Sequence, residues 1–305
     1  MCSESVSNQP DHEIDAVAAA ILRLDPSGER IARVFRRTFD QAYDGLNTGR
    51  YKLGQLYKTE KTHFGTQFEI NLQRELDFED GVILDYCIAG IEVDCKYSHT
   101  GQWMLPIESF NHLVLVAQAD DLRSYWRLGV VRVSEENRRT SENRDRKTGL
   151  NKLGRSRIRW LFFDANLPPN ALLQLPESEV ERVMALRSGQ RRINELLRTA
   201  QNQRISRNII ATVAQQSDYM KRVRGNGGAR SALRNEGIVI LGGDYKAQQR
   251  IARELGAEVP ERGEVVAVRV VPSMPGVGVE ISETWWRLAL PGEDTPAPAP
   301  IIPYA

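Results

Sequence analysis

Apolar positions along the chain change their spacing several times, and each change marks an element. Residues 14–24 carry them at helical spacing. Asp25-Pro26 then reads as the cap of a second helix, with proline in its first turn and Ile31, Val34 and Phe35 on its apolar face. Phe64, Phe68, Leu72 and Leu76 recur at every fourth residue, the stripe of a third helix. Shorter runs at 82–88, 91–98, 112–118 and 126–133 read as strands. Residues 134–157 are charged and loop-like. The paired prolines of 166–170 mark a linker, since they break both helix and sheet. Beyond it, 177–200 reads as two helices broken near Ser188-Gly189, and 205–214 fits either strand or helix. Residues 237–242 read as strand, 245–255 as helix and 264–271 as strand. The polar residues 1–13 are expected to be loose, and the tail 291–305, with its Thr-Pro-Ala-Pro-Ala-Pro run, to be disordered. No internal repeat is present.

Composition narrows the class. A chain of 305 residues suits about two domains. Its 41% hydrophobic content supports a buried core and excludes wholesale disorder. The longest apolar runs, 113–117 and 238–241, are far short of the ~20 residues that cross a bilayer. The first twenty residues lack the basic-then-apolar order of a secretory signal, and three cysteines make no disulfide framework. Both features point to a reducing cytoplasm. The net charge of +1 conceals segregation: residues 1–100 carry 11 Lys/Arg against 17 Asp/Glu, and residues 151–250 carry 18 against 8. Such a basic excess is the footprint of a polyanion-binding surface.

The candidate chemistry lies in 82–97. Two strand-like runs flank Ala89-Gly90, which makes a hairpin pairing Ile88 with Ile91 and, further out, Asp85 with Asp94. By alternation, Leu84, Tyr86, Ile88, Ile91, Val93, Cys95 and Tyr97 share the core face, and Asp85, Glu92, Asp94 and Lys96 the other. Opposed aspartates repel and need a cation between them. A divalent metal with oxygen ligands, Mg²⁺, fits, and Lys96 adds a fixed charge beside it. Such a group can cleave a phosphodiester: the metal neutralises phosphate charge and acidifies water, and the lysine stabilises developing charge. Glu69 supplies a further oxygen, either through a water on the metal or by orienting the nucleophile. A solvated hairpin face of mixed charge would carry the same residues. Cys87 and Cys95 point to opposite faces, which argues against zinc binding with His99. The five tryptophans suit core or interface positions, and His63 a structural one.

Longer strings are more specific than Asp-x-Lys. Thr59-Glu60-Lys61-Thr62-His63-Phe64-Gly65-Thr66, Phe68-Glu69-Ile70-Asn71, Leu84-Asp85-Tyr86 and Val93-Asp94-Cys95-Lys96-Tyr97-Ser98 resemble the NaeI family of restriction endonucleases. So do Gly129-Val130-Val131-Arg132-Val133, Lys147-Thr148-Gly149-Leu150-Asn151 and the stretch from Met220 to Arg234. The resemblance runs from about Arg37 to about Pro272. It implies an α/β and α+β chain: a PD-(D/E)xK endonuclease domain over 1–165, a linker at 166–170, and a helix-turn-helix (winged-helix-like) DNA-binding domain over 171–290. Carried over by position, Glu69, Asp85, Asp94 and Lys96 form the catalytic set, with Asp85, Asp94 and Glu69 on Mg²⁺. The family binds two copies of its site, one cleaved and one activating, and its typical target is the palindrome GCCGGC, cut to blunt ends. One departure stands out. Family members carry Thr-Leu-Asp-Gln-Leu-Tyr-Asp-Gly, similar to a DNA-ligase adenylation motif that has lost its lysine; this chain has Ala42 at the motif position, in Thr38-Phe39-Asp40-Gln41-Ala42-Tyr43-Asp44-Gly45. Alanine has no amine to adenylate, so no ligase activity is expected. A helix end with a glycine cap accounts for the segment equally well.

The basic half supplies DNA contacts. Lys221, Arg222, Arg224, Arg230 and Arg234 fall within 221–234 with no acid among them. Arginine can read guanine bidentately, and the glycines around Asn226 let backbone amides approach phosphates. No Gly-Lys-Ser/Thr follows, which argues against a nucleotide cofactor. A solvated charged loop is the plainer alternative. Lys147, Asn151 and Arg155 could reach DNA from the nuclease side. The expectation is therefore a Mg²⁺-dependent type II endonuclease that cuts double-stranded DNA as a homodimer, since a palindrome needs two active sites. A non-catalytic DNA-binding regulator and a repair or recombination nuclease are the alternatives.

Overall fold

The computed structural model describes residues 11–141 and 143–304. The loose stretch expected at the N-terminus therefore lies, up to residue 10, outside the described residues. Packing divides the chain into two units, Met1–Ala42 with Tyr57–Pro168, and Tyr43–Leu56 with Pro169–Ala305.

In chain order the helices begin with α1 (His12–Leu24), α2 (Glu29–Tyr43), the short α3 (Gly45–Thr48) and the long α4 (Lys58–Leu76). Asp11 caps α1, its carboxylate accepting the N–H groups of Glu13 and Ile14. The second helix begins later than the Asp25-Pro26 signal suggests. Asp25, almost fully buried, instead accepts the Ile31 N–H at 2.8 Å, and Gly28, at φ +76°, turns the chain between them.

The first unit is built on a six-stranded sheet: β1 (Glu79–Asp80), β2 (Tyr86–Ile88), β3 (Ile91–Tyr97), β4 (Leu113–Asp120), β5 (Tyr125–Arg132) and β6 (Arg159–Asn166), in that order across the sheet. Only β3 and β4 run parallel. Their crossover carries a 3₁₀ turn at Ile107–Ser109. The stripe read at 64–76 is buried as expected. Phe35 stacks on Phe68 at 4.4 Å, and Phe64 and Phe68 meet Tyr97 of β3 at 4.5 and 5.6 Å. These rings press α2 and α4 onto the sheet. Another face is closed by Trp103, Leu105, Val114, Val116, Val131, Val133, Leu150 and Ile158, beside the short α5 (Lys152–Ser156).

The second unit holds α6 (Ala171–Gln174), α7 (Glu177–Met184), α8 (Gly189–Thr199), α9 (Arg207–Ala214), α10 (Ala229–Ala232) and α11 (Lys246–Leu255). The stretch 205–214 is both elements: β7 (Ile205–Ser206) runs straight into α9. β9 (Glu264–Pro272) is central, pairing with β8 (Ile238–Gly242), with β7, and with β11 (Thr284–Leu288), which continues to β10 (Val279–Ile281). Alternation along β8 and β9 feeds two cores. Ile238, Ile240, Val265 and Ala267 face the helices α6–α10, whereas Val239, Leu241, Val266 and Val268 face α11. α3 also belongs here: a Cβ on Gly45 would lie 1.9 Å from Thr212 Oγ1 of α9, so only glycine fits. The ligase-like segment is thus the end of α2, Asp44 at φ +47°, and this packing glycine.

The tail differs from its expected disorder. Ala299 and Ile302 are buried in the α11 core. Arg234 and Ala299 exchange hydrogen bonds (Ala299 N–H to Arg234 O, 2.8 Å; Arg234 Nε to Ala299 O, 2.7 Å), and Gln248 donates to Pro303 O at 2.8 Å. Proline excludes helix and ladder but not apolar packing. Residue 305 lies outside the described residues.

Candidate active site

β2 and β3 pair in the register that the Ala89-Gly90 turn implies: Ile88 with Ile91, Cys87 with Glu92, Tyr86 with Val93. Ala89 and Gly90 both take positive φ. The ladder stops there, so Asp85 is not a cross-strand partner of Asp94 in a strand pair. The run 82–84, expected as strand, is a bend whose three N–H groups all donate to the Glu92 carboxylate at 2.7–3.1 Å. Glu92 is therefore a loop cap, not part of the acidic pair. Its carboxyl is held below the ordinary range by these same donors.

Asp85 meets Asp94 by a different route. The Cys95 N–H donates both to Asp85 Oδ2 at 2.7 Å and to Asp94 Oδ1 at 3.0 Å. Lys96 Nζ bonds Asp94 Oδ1 and stands 3.6 Å from Asp85 Oδ2. One amide and one ammonium thus bind two carboxylates together. Asp94 is only 2% exposed, on a strand flanked by β4, where Val114 is its register partner. Its second oxygen accepts a hydrogen bond from the buried Ser109 hydroxyl.

Burial sets the electrostatics. It pushes the Asp85 carboxyl up to about 7; a hydrogen bond shared with Asp94 adds to this, and Lys96 opposes it. Glu69, on α4 beside the buried Phe68, is also raised, first by burial; Lys96 lowers it and Asp94 raises it. The Tyr86 hydroxyl donates to the Glu69 carbonyl at 2.8 Å and fixes that turn of α4 against β2. Burial works against the Lys96 charge, but Asp94 and Asp85 outweigh it, and its ammonium stays above the ordinary lysine value.

The four residues thus share one electrostatic neighbourhood, with the pair Asp85–Asp94 at its centre. Among the described residues, no three or more His, Cys, Asp or Glu side chains gather tightly enough to hold a metal. Glu69 is coupled to the site through the charges of Lys96 and Asp94. Asp85 and Asp94 nonetheless converge on one point, and burial raises the Asp85 carboxyl to about 7 even with Lys96 beside it. They fit a hard ion such as Mg²⁺, which keeps several waters and takes few protein ligands.

The predicted DNA contacts fall into two groups. In the first unit, Lys147 is exposed at a loop tip. Asn151 is spent internally: it caps α5 by accepting the Gly154 N–H and donates to the Glu136 and Arg138 carbonyls. Arg155 is likewise engaged, with Gly101 O and Gln102 Oε1, both at 2.9 Å. In the second unit, Lys221, Arg224 and Asn226 are exposed. Arg222 pairs with Asp218 at 2.9 Å. Arg230 sits under the Tyr304 ring and bonds Gln248 at 3.1 Å, and Arg234 is held by the tail. A cavity of about 740 Å³ opens among Arg224, Arg230, Arg234, Tyr245 and Tyr304.

A mixed sheet carrying a buried carboxylate and a lysine, with a second, half-buried carboxylate held against them and a separate basic unit, defines a DNA-cleaving enzyme of the restriction class once the chain's likenesses are added. The family described as "Restriction endonuclease NaeI" matches residues 15–296. A curated relative, "Type II restriction enzyme NaeI" of Lentzea aerocolonigenes, is 46% identical over 97% of this chain and 96% of its own length. The chain belongs to the NaeI family of restriction endonucleases. Its activity is site-specific cleavage of double-stranded DNA. No helix among the described residues is long and apolar enough to cross a membrane.

Proposed function

We propose that the first unit is a PD-(D/E)xK nuclease core in which Asp85, Asp94, Lys96 and Glu69 cleave DNA with Mg²⁺. The observation that carries the reading is the Cys95 amide shared by two carboxylates, with Lys96 across both. Asp85 and Asp94 hold the ion, which supplies positive charge to the scissile phosphate and acidifies water. Lys96, kept charged by the same carboxylates, faces the phosphate oxygen that gains charge during in-line attack. Glu69, on the fixed turn of α4, orients the attacking water. The products are 5′-phosphate and 3′-hydroxyl ends.

The second unit is a helix-turn-helix, winged-helix-like domain that binds the activating DNA copy. Its order supports this: helix α8, short strand β7, helix α9, the basic segment 219–234, then β8 and β9 pairing with β9 central. The basic segment is a 3₁₀ turn (Tyr219–Val223), a glycine loop and the four-residue α10, in place of a long second helix. Lys221, Arg224 and Asn226 face DNA directly. Arg230 and Arg234 reach it only beside the tail. The target is the GC-rich palindrome GCCGGC, cut by a homodimer whose twofold axis matches that of the site.

The test is cleavage of a plasmid bearing GCCGGC, in Mg²⁺ and in EDTA, by Asp94→Ala and Lys96→Ala proteins. Each is expected to lose activity by at least about 10²-fold while still retarding the DNA on a gel. Mg²⁺-dependent cutting at the parent rate by either variant would refute the assignment.

A further inference from the structure

We propose that Ser109 is the positioning residue that aims the Asp94 carboxylate, an inference that rests on the assignment of Asp94 above. The two oxygens of Asp94 have separate duties. Oδ1 turns toward Asp85, taking the Cys95 N–H and the Lys96 ammonium. Oδ2 turns inward and takes the Ser109 hydroxyl. At 2% exposure Asp94 has no bulk water to orient it, so its donors must come from the protein. Ser109 is wholly buried, and among the described residues Asp94 is the only partner its hydroxyl has.

The serine is fixed before any DNA or ion arrives. It closes the 3₁₀ turn Ile107–Ser109 in the crossover between the parallel strands β3 and β4. Its N–H donates to Pro106 O and its carbonyl accepts from the His112 N–H, both at 3.1 Å. Asn111, at φ +65°, then turns the chain and donates to Val133 O at 2.9 Å. The hydroxyl is therefore delivered by backbone geometry. The terminal torsion of an aspartate is broad and roughly twofold. Without Ser109, no other hydrogen bond among the described residues holds Oδ2, and only the Cys95 N–H on Oδ1 resists a swing of the carboxylate onto Lys96 with both oxygens. That rotation would take Oδ1 away from its place beside Asp85. Groups that orient a metal-binding carboxylate typically change ion affinity by about 10–100-fold when removed.

The experiment uses the full chain. Mn²⁺ uptake by DNA-free protein is followed through the loss of the free-ion electron paramagnetic resonance signal, and kcat and KM are measured on the cognate plasmid. Ser109→Ala is expected to weaken Mn²⁺ binding about tenfold and to lower kcat at sub-saturating Mg²⁺ with KM for DNA unchanged. Ser109→Thr, which keeps the hydroxyl, is expected to restore Mn²⁺ affinity to within about threefold of the parent, against the tenfold loss. Parent-like Mn²⁺ binding by Ser109→Ala overturns the inference, as does a folded Ser109→Thr that behaves like alanine. Should Ser109→Ala not fold, Ser109→Cys keeps the volume with a weaker donor and is read in the same way. Asp94→Ala, measured alongside, separates the two layers. If it binds Mn²⁺ and cuts as the parent does, the site reading fails; if it is silent while Ser109→Ala is parent-like, only the role of Ser109 fails.

Discussion

Replacing Asp85 by asparagine is expected to abolish cleavage and yet stabilise the metal-free protein at pH 8. The Asp85 carboxyl rises from an ordinary value of about 3.9 to about 7, first through burial and then through its contact with Asp94. In the folded chain it holds a proton that the unfolded chain releases. Stability therefore falls as pH rises from about 4 to about 7, and the loss is complete above that. At full strength the loss would be about 4 kcal/mol. The side chain is 24% exposed and Lys96 lies nearby, so screening reduces the figure to about 1–2 kcal/mol. Asparagine can still accept the Cys95 N–H and can donate to Asp94, with no charge to desolvate. In EDTA, urea and thermal unfolding are expected to show the two proteins equal near pH 4. At pH 8 the variant gains about 1–2 kcal/mol, or about 2–8 °C in the first unit's transition. A variant less stable than the parent at pH 8, or a gap identical at both pH values, would refute the electrostatic account of the pair.

Two further outcomes test the second unit. Arg224→Ala removes an exposed cation from the basic segment; the slope of log affinity against log salt for the DNA-bound chain is expected to fall by about 1, with fold and sequence preference intact, and an unchanged slope would place the DNA elsewhere. Ending the chain after Asp294 strips the buried Ala299 and Ile302 and the bonds to Arg234 and Gln248. Urea unfolding is expected to show a loss of about 2–4 kcal/mol in that unit, whereas a tail that does not pack would leave the midpoint in place.

What the sequence disclosed follows from how local its signals are. The stripe of Phe64, Phe68, Leu72 and Leu76 and the Ala89-Gly90 turn are short-range patterns, and both elements formed where they were read. The break at Ser188-Gly189 did so too, since Gly189 packs with no room for a Cβ against Ala214 O. β6 escaped notice because half of Arg159–Asn166 is exposed without alternation. The run 82–84 looked like strand because its residues are apolar, but Glu92 takes the N–H groups that a neighbouring strand would need. Glu92 is ten residues from Val82, and no spacing rule links a side chain to an amide at that distance. The allegiance of 43–56 to the second unit likewise depends on Gly45 meeting Thr212 and on Asn170 donating to Tyr51 O, contacts that span more than a hundred residues.

The site shows the same division. Its charged members were legible because the carboxylates of Asp85 and Asp94 repel one another unless a cation such as Lys96 compensates, so the sequence itself poses the question. The residues that answer it are neutral. The Cys95 amide belongs to a residue whose side chain is irrelevant to the bond, and Ser109 is a single hydroxyl in a short turn fifteen residues from the carboxylate it holds. Neither alters charge or periodicity, so neither leaves a trace in the pattern. Ser109 sits there because β4 runs parallel to β3: the crossover that parallel pairing demands carries the turn at 107–109, and its hydroxyl, to Asp94. A buried, aimed carboxylate is thus a product of sheet topology. The prediction that separates this from an exposed acidic hairpin is the pH-dependent instability that Asp85 confers on the metal-free protein, because a fully solvated carboxyl has no reason to keep its proton up to about pH 7.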